Sequence, residues 1–229
     1  MEVRAINTVV ERDIQEIISD SQIFDAFRGK LILVTGATGL IGSMVARSLI
    51  AANDAYHLSL RVICHVRNIE KAHHMFSDIV DSDILTFVDT PLESLDIACD
   101  YIMHGAGPTK SKYFVEHPVD TIRTSIHGTE RMLELGKEQK IKGMVYLSSM
   151  EQYGVPYESG QVMTEDRIGY LDHLNVRSSY SESKRLCECY CKSYAVEFGV
   201  PVKIARLAQT FGAGVSLDDN RVFMQFTKN

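Results

Sequence analysis

Short apolar runs alternate along this chain with longer segments whose apolar residues recur at helical spacing. The runs predict strands at residues 31–35, 60–66, 84–88, 100–104, 143–148 and 202–207, and the periodic segments predict helices at 8–20, 40–52, 69–80, 119–140 and 180–198. Parallel strands joined through helices require right-handed crossovers, which place helices on both faces of the sheet. The pattern therefore predicts the α/β class, with a doubly wound, mostly parallel sheet whose strand carboxyl ends converge on a ligand crevice.

The longest predicted connection is residues 154–178, which contain Gly154, Pro156, Gly160 and Gly169. A connection of this length inside a compact domain is usually functional or mobile.

Composition narrows the class of protein. With 229 residues, the chain is long enough for one large core, or for one domain and a fragment of a second. The net charge of −6 argues against a non-specific binder of nucleic acid or of anionic membranes. No apolar segment approaches the roughly 20 residues of a membrane span, and residues 1–20 lack the apolar stretch of a signal peptide. The odd number of cysteines, five, favours reduced thiols, so we expect a cytoplasmic enzyme.

A glycine-rich turn directly follows the predicted strand 31–35. Gly36 would allow a tight turn, Gly39 the close approach of a phosphate, and Gly42 the packing of a helix on the strand. The N-terminus of that helix would add unpaired N–H groups and a dipole, which stabilise an anion by roughly 0.3–1 kcal/mol. Three spaced glycines also occur in ordinary strand-to-helix turns, but the apolar strand before them and the apolar helix after them favour a dinucleotide site of the Rossmann type.

Tyr180 and Lys184 lie one turn apart in a predicted helix, and hence on the same face. A phenol with a reference pKa of about 10 is a poor base at neutral pH, but an ammonium about 4 Å away would stabilise the phenolate by on the order of 4 kcal/mol at an effective dielectric near 20. Ser148 and Ser149 close the strand 143–148 at the ligand edge, where a serine can hydrogen-bond a reacting hydroxyl or carbonyl. An exposed Tyr/Lys pair and a serine that only satisfies the turn are the structural alternatives.

Five ordered motifs carry a resemblance to the extended short-chain dehydrogenases/reductases, and in particular to the NAD-dependent nucleotide-sugar epimerase/dehydratase family. They are Gly36-x-x-Gly39-x-x-Gly42, Asp100-Tyr101-Ile102-Met103-His104-Gly105-Ala106, Ser148-Ser149-Met150-Glu151-Gln152-Tyr153-Gly154, Tyr180-x-x-x-Lys184 and Arg206-Leu207-Ala208-Gln209-Thr210-Phe211-Gly212. The match runs from about Lys30 to the last residue. It implies an NAD-dependent enzyme that acts on a nucleotide sugar.

The resemblance also implies roles for the matched residues. Tyr180 would be the general base or acid, Lys184 would anchor the nicotinamide ribose and lower the pKa of the tyrosine, and Ser149 would support proton transfer. Asp89, after the strand 84–88, would face the adenine. The implied cofactor-binding residues are Gly36, Thr38, Gly39, Leu40, Ile41, Gly42, Arg67, Asp89, Gly105, Ala106, Tyr180 and Lys184, the implied substrate-binding residues are Ser149 and Gln209, and no metal is implied.

Enzymes of this family oxidise a sugar C4 hydroxyl to a 4-keto intermediate, which then undergoes epimerisation, elimination or decarboxylation. Dehydratases carry Thr-Asp-Glu where this chain has Ser149-Met150-Glu151, so the elimination acid expected at position 150 is missing. The stretches 177–185 and 219–222 are similar to the UDP-glucuronate decarboxylase branch. We hypothesise that Glu151 acts at C5 of the sugar, the alternative being a carboxylate that points to solvent.

Three positions depart from the family pattern. Arg67 stands where NAD-preferring members have Asp, and an arginine can pair with the 2′-phosphate of NADP or stack on adenine. Gln209 replaces the Asn that usually contacts substrate, and Ser125 replaces a helix Asn. NADP therefore stays possible beside NAD, and a net NADPH-dependent reductase of the same fold is a second hypothesis.

The predicted organisation has three parts: an N-terminal helical extension at 1–28, an NAD(P)-binding Rossmann domain at 29–211 and the start of a substrate-binding domain at 212–229. Relatives continue well beyond this point, so we expect the substrate domain to be largely absent. A cofactor-binding module that is inactive through truncation is the third hypothesis. The helix 119–140 would either form a homodimer interface, as in relatives, or pack on its own sheet.

Two cysteines of the last predicted helix and His104 are predicted to have structural roles. Cys187 and Cys191 share a helical face that excludes Cys189, and without further ligands nearby they predict small buried hydrophobes rather than a zinc site. His104, at the end of the strand 100–104, is expected to form a local hydrogen bond rather than to catalyse.

Overall fold

The computed structural model describes residues 7–79, 83–160 and 162–215, together with Phe226. The helices are α1 (Thr8–Ile17), α2 (Ser21–Asp25), α3 (Leu40–Tyr56), α4 (Ile69–Met75), α5 (Ser111–Glu116), α6 (Pro118–Gln139) and α7 (Ser178–Glu197). The strands are β1 (Leu31–Thr35), β2 (Arg61–His65), β3 (Leu85–Val88), β4 (Tyr101–His104), β5 (Gly143–Ser149) and β6 (Val202–Leu207), and 3₁₀ turns lie at Leu92–Ser94 and Met150–Tyr153.

These strands join one six-stranded parallel sheet in the order β3-β2-β1-β4-β5-β6. The register places Thr35, the last residue of β1, beside His65 on β2 and His104 on β4. Chain order reverses between β1 and β4, and a ligand crevice opens at such a switch point, outside the carboxyl ends of the strands. The predicted doubly wound sheet is therefore confirmed.

Alternate residues of each strand are buried on opposite faces of the sheet. Ile32 and Val34 of β1 pack with α1, α3 and α4 in one core cluster. Leu33 packs with Met144 and Tyr146 of β5, and with α6 and α7, in the other. Burial on both faces explains why the strands are nearly continuous apolar runs.

Helix α1 packs against α3 and belongs to the first core cluster. Val10, Ile14 and Ile18 are buried there, and the Tyr56 hydroxyl at the end of α3 donates to the Ile18 carbonyl. The division at 28/29 and 211/212 stays a prediction. Most of the expected part at 212–229 lies outside the described residues.

The predicted strands agree with the observed ones to within one residue at each end. Helix α4 is shorter than the predicted 69–80, and residues 80–82 lie outside the described part of the chain. Helices α2 and α5 were not predicted, because helices of one or two turns contain too few residues to show a period. In the described part of the 154–178 connection, one antiparallel bridge, Val155–Tyr170, is the only regular pairing.

In the part of the chain that the structure describes, no helix is both long enough and apolar enough to cross a membrane.

Candidate active site

The glycine turn between β1 and α3 excludes side chains at two positions. Gly36 has a φ of 72°, and a Cβ there would lie 2.7 Å from the carbonyl oxygen of Gly105. A Cβ at Gly42 would lie 2.3 Å from the carbonyl oxygen of Gly36. Gly39 is the N-cap of α3, so no capping side chain competes for the first amide groups of the helix. This geometry fits the pyrophosphate cradle that the spacing predicts, and it places Thr38, Leu40 and Ile41 in the turn and at the start of α3.

His104 ties this turn to the neighbouring strand end. Its Nδ1 lies 2.7 Å from Thr35 Oγ1, which also accepts the amides of Gly105 at 3.2 Å and Ala106 at 3.1 Å. Its Nε2 lies 3.2 Å from Thr129 Oγ1 on α6. Burial lowers the pKa of His104 to about 3, so the ring is neutral. The local role predicted for His104 is confirmed, and its hydrogen bond orients the Thr35 hydroxyl, which holds the amides of Gly105 and Ala106.

Arg67 and Asp89 are exposed at the same sheet edge, just past β2 and β3. The hydrogen bond to Asp120 raises the pKa of Tyr113 on α5, and the charge of Arg67 lowers it in part. Arg67 is therefore within electrostatic reach of Tyr113 on α5. This position fits a basic group at the adenosine end of a dinucleotide site and suits either NAD or NADP.

Tyr180 and Lys184 lie on the side of α7 that faces β5. Lys184 is buried, and its Nζ donates to the Leu147 carbonyl at 2.7 Å. The same nitrogen lies 4.7 Å from the ring centroid of Tyr146 and 5.7 Å from that of Tyr180. Burial lowers the pKa of Lys184 to about 8, which leaves most of the ammonium protonated at pH 7.

Burial raises the pKa of the Tyr180 phenol above its ordinary value. A hydrogen bond with Ser149 and the charge of Arg177 lower it, whereas the charge of Glu151 raises it. The net shift is upward, so the predicted lowering of the tyrosine pKa is wrong for this arrangement. Desolvation of the phenolate outweighs the favourable groups, and the Lys184 ammonium is directed at the Leu147 carbonyl.

Glu151 follows β5 in the 3₁₀ turn and is 35% exposed. Its Oε2 accepts from Arg177 Nη2 at 2.8 Å and from Ser181 Oγ at 3.4 Å. Its own amide donates to Ser149 Oγ at 3.2 Å. The carboxylate is thus paired with the start of α7, and the solvent-facing alternative does not describe it.

A hydrogen-bonded network joins Ser148, which precedes Ser149 on β5, to Glu188 and Arg206. Ser148 Oγ donates to Glu188 Oε1 at 2.5 Å, and Arg206 Nη2 donates to Glu188 Oε2 at 2.7 Å. Arg206 of the matched motif is therefore a structural residue. Gln209 is exposed just past β6, and Ser125 is buried in α6, where its hydroxyl bonds within its own helix.

The cysteines are all free thiols. Cys187 and Cys191 are buried in the second core cluster, whereas Cys189 is exposed, as their helical spacing predicts.

Two residues of the site were not assigned from the sequence. Phe114 of α5 stacks on Tyr180, with ring centroids 4.2 Å apart and planes 3° apart. Arg177 stands three positions before Tyr180, and this spacing, which places two residues on one helical face, was the available signal. Phe114 lies in a helix too short for any periodic signal.

A glycine cradle at the switch point, opposite a Tyr-x-x-x-Lys pair that faces the end of β5, defines a dinucleotide-binding α/β protein of the short-chain dehydrogenase/reductase type. Residues 32–229 match the NAD dependent epimerase/dehydratase family, and the chain belongs to that family. The cofactor of the family, NAD, is the one that the resemblance implies.

Similar curated proteins include UDP-glucuronic acid decarboxylase 1 of Danio rerio, 31% identical over 86% of this chain and 45% of that protein. UDP-glucuronic acid decarboxylase 6 of Arabidopsis thaliana is 32% identical over 85% of this chain and 55% of its own length. The chain thus spans about half the length of the curated relatives it matches.

Solved structures show the same fold. A UDP-N-acetylglucosamine 4-epimerase from Methanobrevibacter ruminantium M1, in complex with UDP-N-acetylmuramic acid, has a TM-score of 0.70 at 21% identity, over 87% of this chain and 62% of that chain. A UDP-glucuronic acid 4-epimerase from Bacillus cereus, in complex with UDP-glucuronic acid and NAD, has a TM-score of 0.64 at 22% identity, over 77% and 55% of the two chains.

Proposed function

We propose that this chain supplies the cofactor-binding and acid–base part of an enzyme that oxidises the C4 hydroxyl of a UDP-sugar to a ketone with NAD. The observation that carries the proposal is the meeting of Ser149, Tyr180 and Lys184 at the sheet edge that also holds the cradle of Gly36 and Gly42. Loss of CO₂ from the ketone is the favoured next step, and epimerisation and elimination are the other outcomes.

The cradle residues are suited to hold the pyrophosphate of NAD. The amides that open α3 would bind it, Gly105 and Ala106 would border it, and Arg67 and Asp89 would lie at the adenosine end. Lys184 would hold the nicotinamide ribose. When bound, NAD supplies a hydride acceptor that later returns the hydride.

Tyr180 is suited to exchange a proton with the sugar 4-oxygen. Because burial raises its pKa, the phenol holds its proton at neutral pH and can donate it to a ketone or alkoxide oxygen. Action as a base requires stabilisation of the phenolate. The Ser149 hydrogen bond and the mostly protonated Lys184 ammonium are the groups placed to provide it.

Glu151 supports decarboxylation over the other outcomes. A 4-ketone makes a carboxylate on C5 a β-keto acid, whose CO₂ leaves readily and leaves C5 to be protonated. Glu151 lies close enough to Tyr180 for its charge to act on the phenol, and from this position its carboxyl group can take part in the proton transfer to C5. The decarboxylases among the relatives point to the same branch.

Two other functions follow from particular observations. The exposed Arg67 favours a net NADPH-dependent reductase of the same fold. A module that binds the cofactor without turnover is the second alternative, because the cofactor cradle is built within the described chain.

The cofactor is tested by calorimetric titration of the chain with NAD and with NADP. We expect NAD to bind. Gly36→Ala should weaken this binding by about tenfold or more, since the added methyl meets the Gly105 backbone. Gly29→Ala is the matched control, because Gly29 also has a positive φ, 67°, but has open space around it. Equal NAD affinities of the two variants would contradict the cradle, and a marked preference for NADP would favour the reductase.

The reaction is tested by incubation with UDP-glucuronate, UDP-glucose and UDP-N-acetylglucosamine in the presence of NAD, with products identified by mass spectrometry. We expect a UDP-pentose and CO₂ from UDP-glucuronate, with no net formation of NADH.

Tyr180→Phe should lower kcat by about 10²-fold or more. Unchanged turnover of every accepted UDP-sugar by Glu151→Gln would refute its role at C5. Stoichiometric NADPH consumption would identify the reductase, and binding without turnover the inactive module.

The cellular compartment and the oligomeric state of the protein are proposals. Free thiols suit a reducing cytoplasm. Homodimer formation through α6 competes with packing on its own sheet, because Met132, Leu133 and Leu135 are buried within the chain while Ile122 is exposed.

A further inference from the structure

A hydrogen bond to the backbone and a ring stack join helix α5 to the first turn of α7. Ser179 Oγ donates to the Phe114 carbonyl at 3.2 Å. The Phe114 ring, only 1% exposed, lies flat against the ring of Tyr180, with centroids 4.2 Å apart. One face of the proposed acid–base residue is therefore covered by α5.

Arg177 contacts both sides of this arrangement. Its Cζ lies 4.9 Å from the ring centroid of Phe114. Its Nη2 lies 2.8 Å from Glu151 Oε2 and 3.5 Å from Ser111 Oγ on α5. A single guanidinium thus joins the aromatic stack on Tyr180 to the carboxylate that follows β5.

We propose that Arg177 is a positioning residue: it holds Phe114 against Tyr180 and Glu151 beside them, and so orients the two groups that act on the sugar. The roles of Tyr180 and Glu151 rest on the proposed function, whereas the positioning itself is a property of the folded chain. Arg177 is not assigned contact with substrate or cofactor.

The chemistry of arginine suits this position. A planar guanidinium can lie over an aromatic face while its edge donates to a carboxylate, and a lysine cannot do both. Arg177 and Glu151 are 36% and 35% exposed, and ion pairs of such exposure contribute little to stability. The physical effect of the pair is therefore expected at the site rather than in the unfolding free energy.

Each element around Tyr180 contributes at least one side chain beside it. β5 contributes Ser149 and Tyr146, the 3₁₀ turn contributes Glu151, and the α7 segment contributes Arg177 and Lys184. α5 contributes the ring of Phe114. Removal of Arg177 would leave the Glu151 carboxylate without its cationic partner beside the phenol, which disfavours the phenolate.

The test is a pH titration of Tyr180 by NMR in the full chain labelled with [ζ-¹³C]tyrosine, the resonance being assigned with Tyr180→Phe. Arg177→Gln should move the Tyr180 titration to higher pH, and Glu151→Gln combined with Arg177→Gln should bring it back toward the wild-type position. Arg167→Gln, at an exposed arginine of the same connection, is the matched control and should change nothing. An unchanged Tyr180 titration in folded Arg177→Gln overturns the proposal.

Arg177→Lys keeps the positive charge of the side chain but not the planar shape of the guanidinium. It is also the variant to measure if Arg177→Gln does not fold. It should leave the titration near that of the wild type. At the same time it should weaken the upfield ring-current shift that the Phe114 stack imposes on the ring protons of Tyr180. A Tyr180 ring shift identical to that of the wild type would overturn the positioning of Phe114.

Kinetics distinguish this proposal from the proposed function. If UDP-glucuronate is turned over, Arg177→Gln should lower kcat by about tenfold or more with KM little changed, because the reacting groups are misplaced. An equal kcat in both proteins overturns the proposal. If the wild-type chain turns over no UDP-sugar, the proposed function fails, and the NMR titration still decides the positioning role.

Discussion

His104 shows how hydrogen bonds decide the state of a single buried residue. Thr35 Oγ1 accepts the amides of Gly105 and Ala106, so its own proton is directed at His104 Nδ1. Thr129 Oγ1 donates to a backbone carbonyl at 2.7 Å and is therefore left to accept from His104 Nε2. The neutral ring, with its proton on Nε2, satisfies every partner, and a second ring proton would have no acceptor.

The first prediction concerns the pH dependence that this histidine confers. Its pKa is about 3 in the folded chain and about 6.5 when unfolded, so between these values the unfolded state binds more protons. Stability is therefore lost as pH falls below about 6.5, at up to about 1.4 kcal/mol per pH unit. In urea unfolding at pH 7.5 and 5.0, His104→Phe should lose about 2 kcal/mol less than the wild type over this interval.

At pH 7.5 the same variant should be less stable than the wild type by about 1–3 kcal/mol, since the Thr35 and Thr129 hydroxyls lose their partner. His74→Gln, at an exposed histidine, is the control and should keep the wild-type pH dependence. An identical pH dependence in His104→Phe would show that His104 is not the group responsible.

At the scale of secondary-structure elements, one arginine joins β6 to α7 and to the long connection. Arg206 donates to both oxygens of Glu188, and its Nη1 donates to the Glu165 carbonyl at 2.8 Å. Glu188 in turn accepts from Ser148 on β5. The side chain of Glu188 is 9% exposed and that of Arg206 22%, so the pair is largely removed from water.

The second prediction is that Arg206→Met lowers the unfolding free energy by about 3 kcal/mol, because it leaves the buried Glu188 charge uncompensated. Arg206→Met combined with Glu188→Gln should be less destabilised than Arg206→Met alone, since no unpaired charge remains. Urea unfolding of both variants measures this, with Arg123→Met at an exposed position of α6 as the control. A double variant less stable than Arg206→Met would refute the electrostatic explanation.

At the scale of the whole molecule, the N-terminal helix joins the main core instead of forming a layer of its own. Ile14 of α1 is 6% exposed and belongs to the cluster that covers one face of the sheet, whereas Ile17 on the same helix is 44% exposed. Helix α1 should therefore unfold together with the sheet.

The third prediction tests this cooperation. Ile14→Ala should lower the unfolding free energy by about 2–4 kcal/mol in a single transition, because it opens a cavity in the shared core. Ile17→Ala should change it little. Affinity for NAD should stay the same in both, since the cradle lies at the carboxyl edge of the sheet. An unaltered main transition in Ile14→Ala would instead favour a separate N-terminal extension.

Local patterns in the sequence were enough to predict the sheet, the glycine cradle and the Tyr180–Lys184 pair. Burial on both faces makes each parallel strand an apolar run, and the need for a positive φ or a close backbone contact selects glycine at Gly36 and Gly42. One helical turn places Tyr180 and Lys184 on one face.

Only the tertiary structure decided what surrounds that pair. The stack of Phe114 on Tyr180 and the pairing of Arg177 with Glu151 join residues from α5, the 3₁₀ turn after β5 and the start of α7. No periodic pattern connects positions so far apart in the chain. The direction of the Tyr180 pKa shift depends on the same packing: spacing alone predicts the neighbouring ammonium, but the balance between that charge and desolvation is set by how deeply the fold buries the phenol.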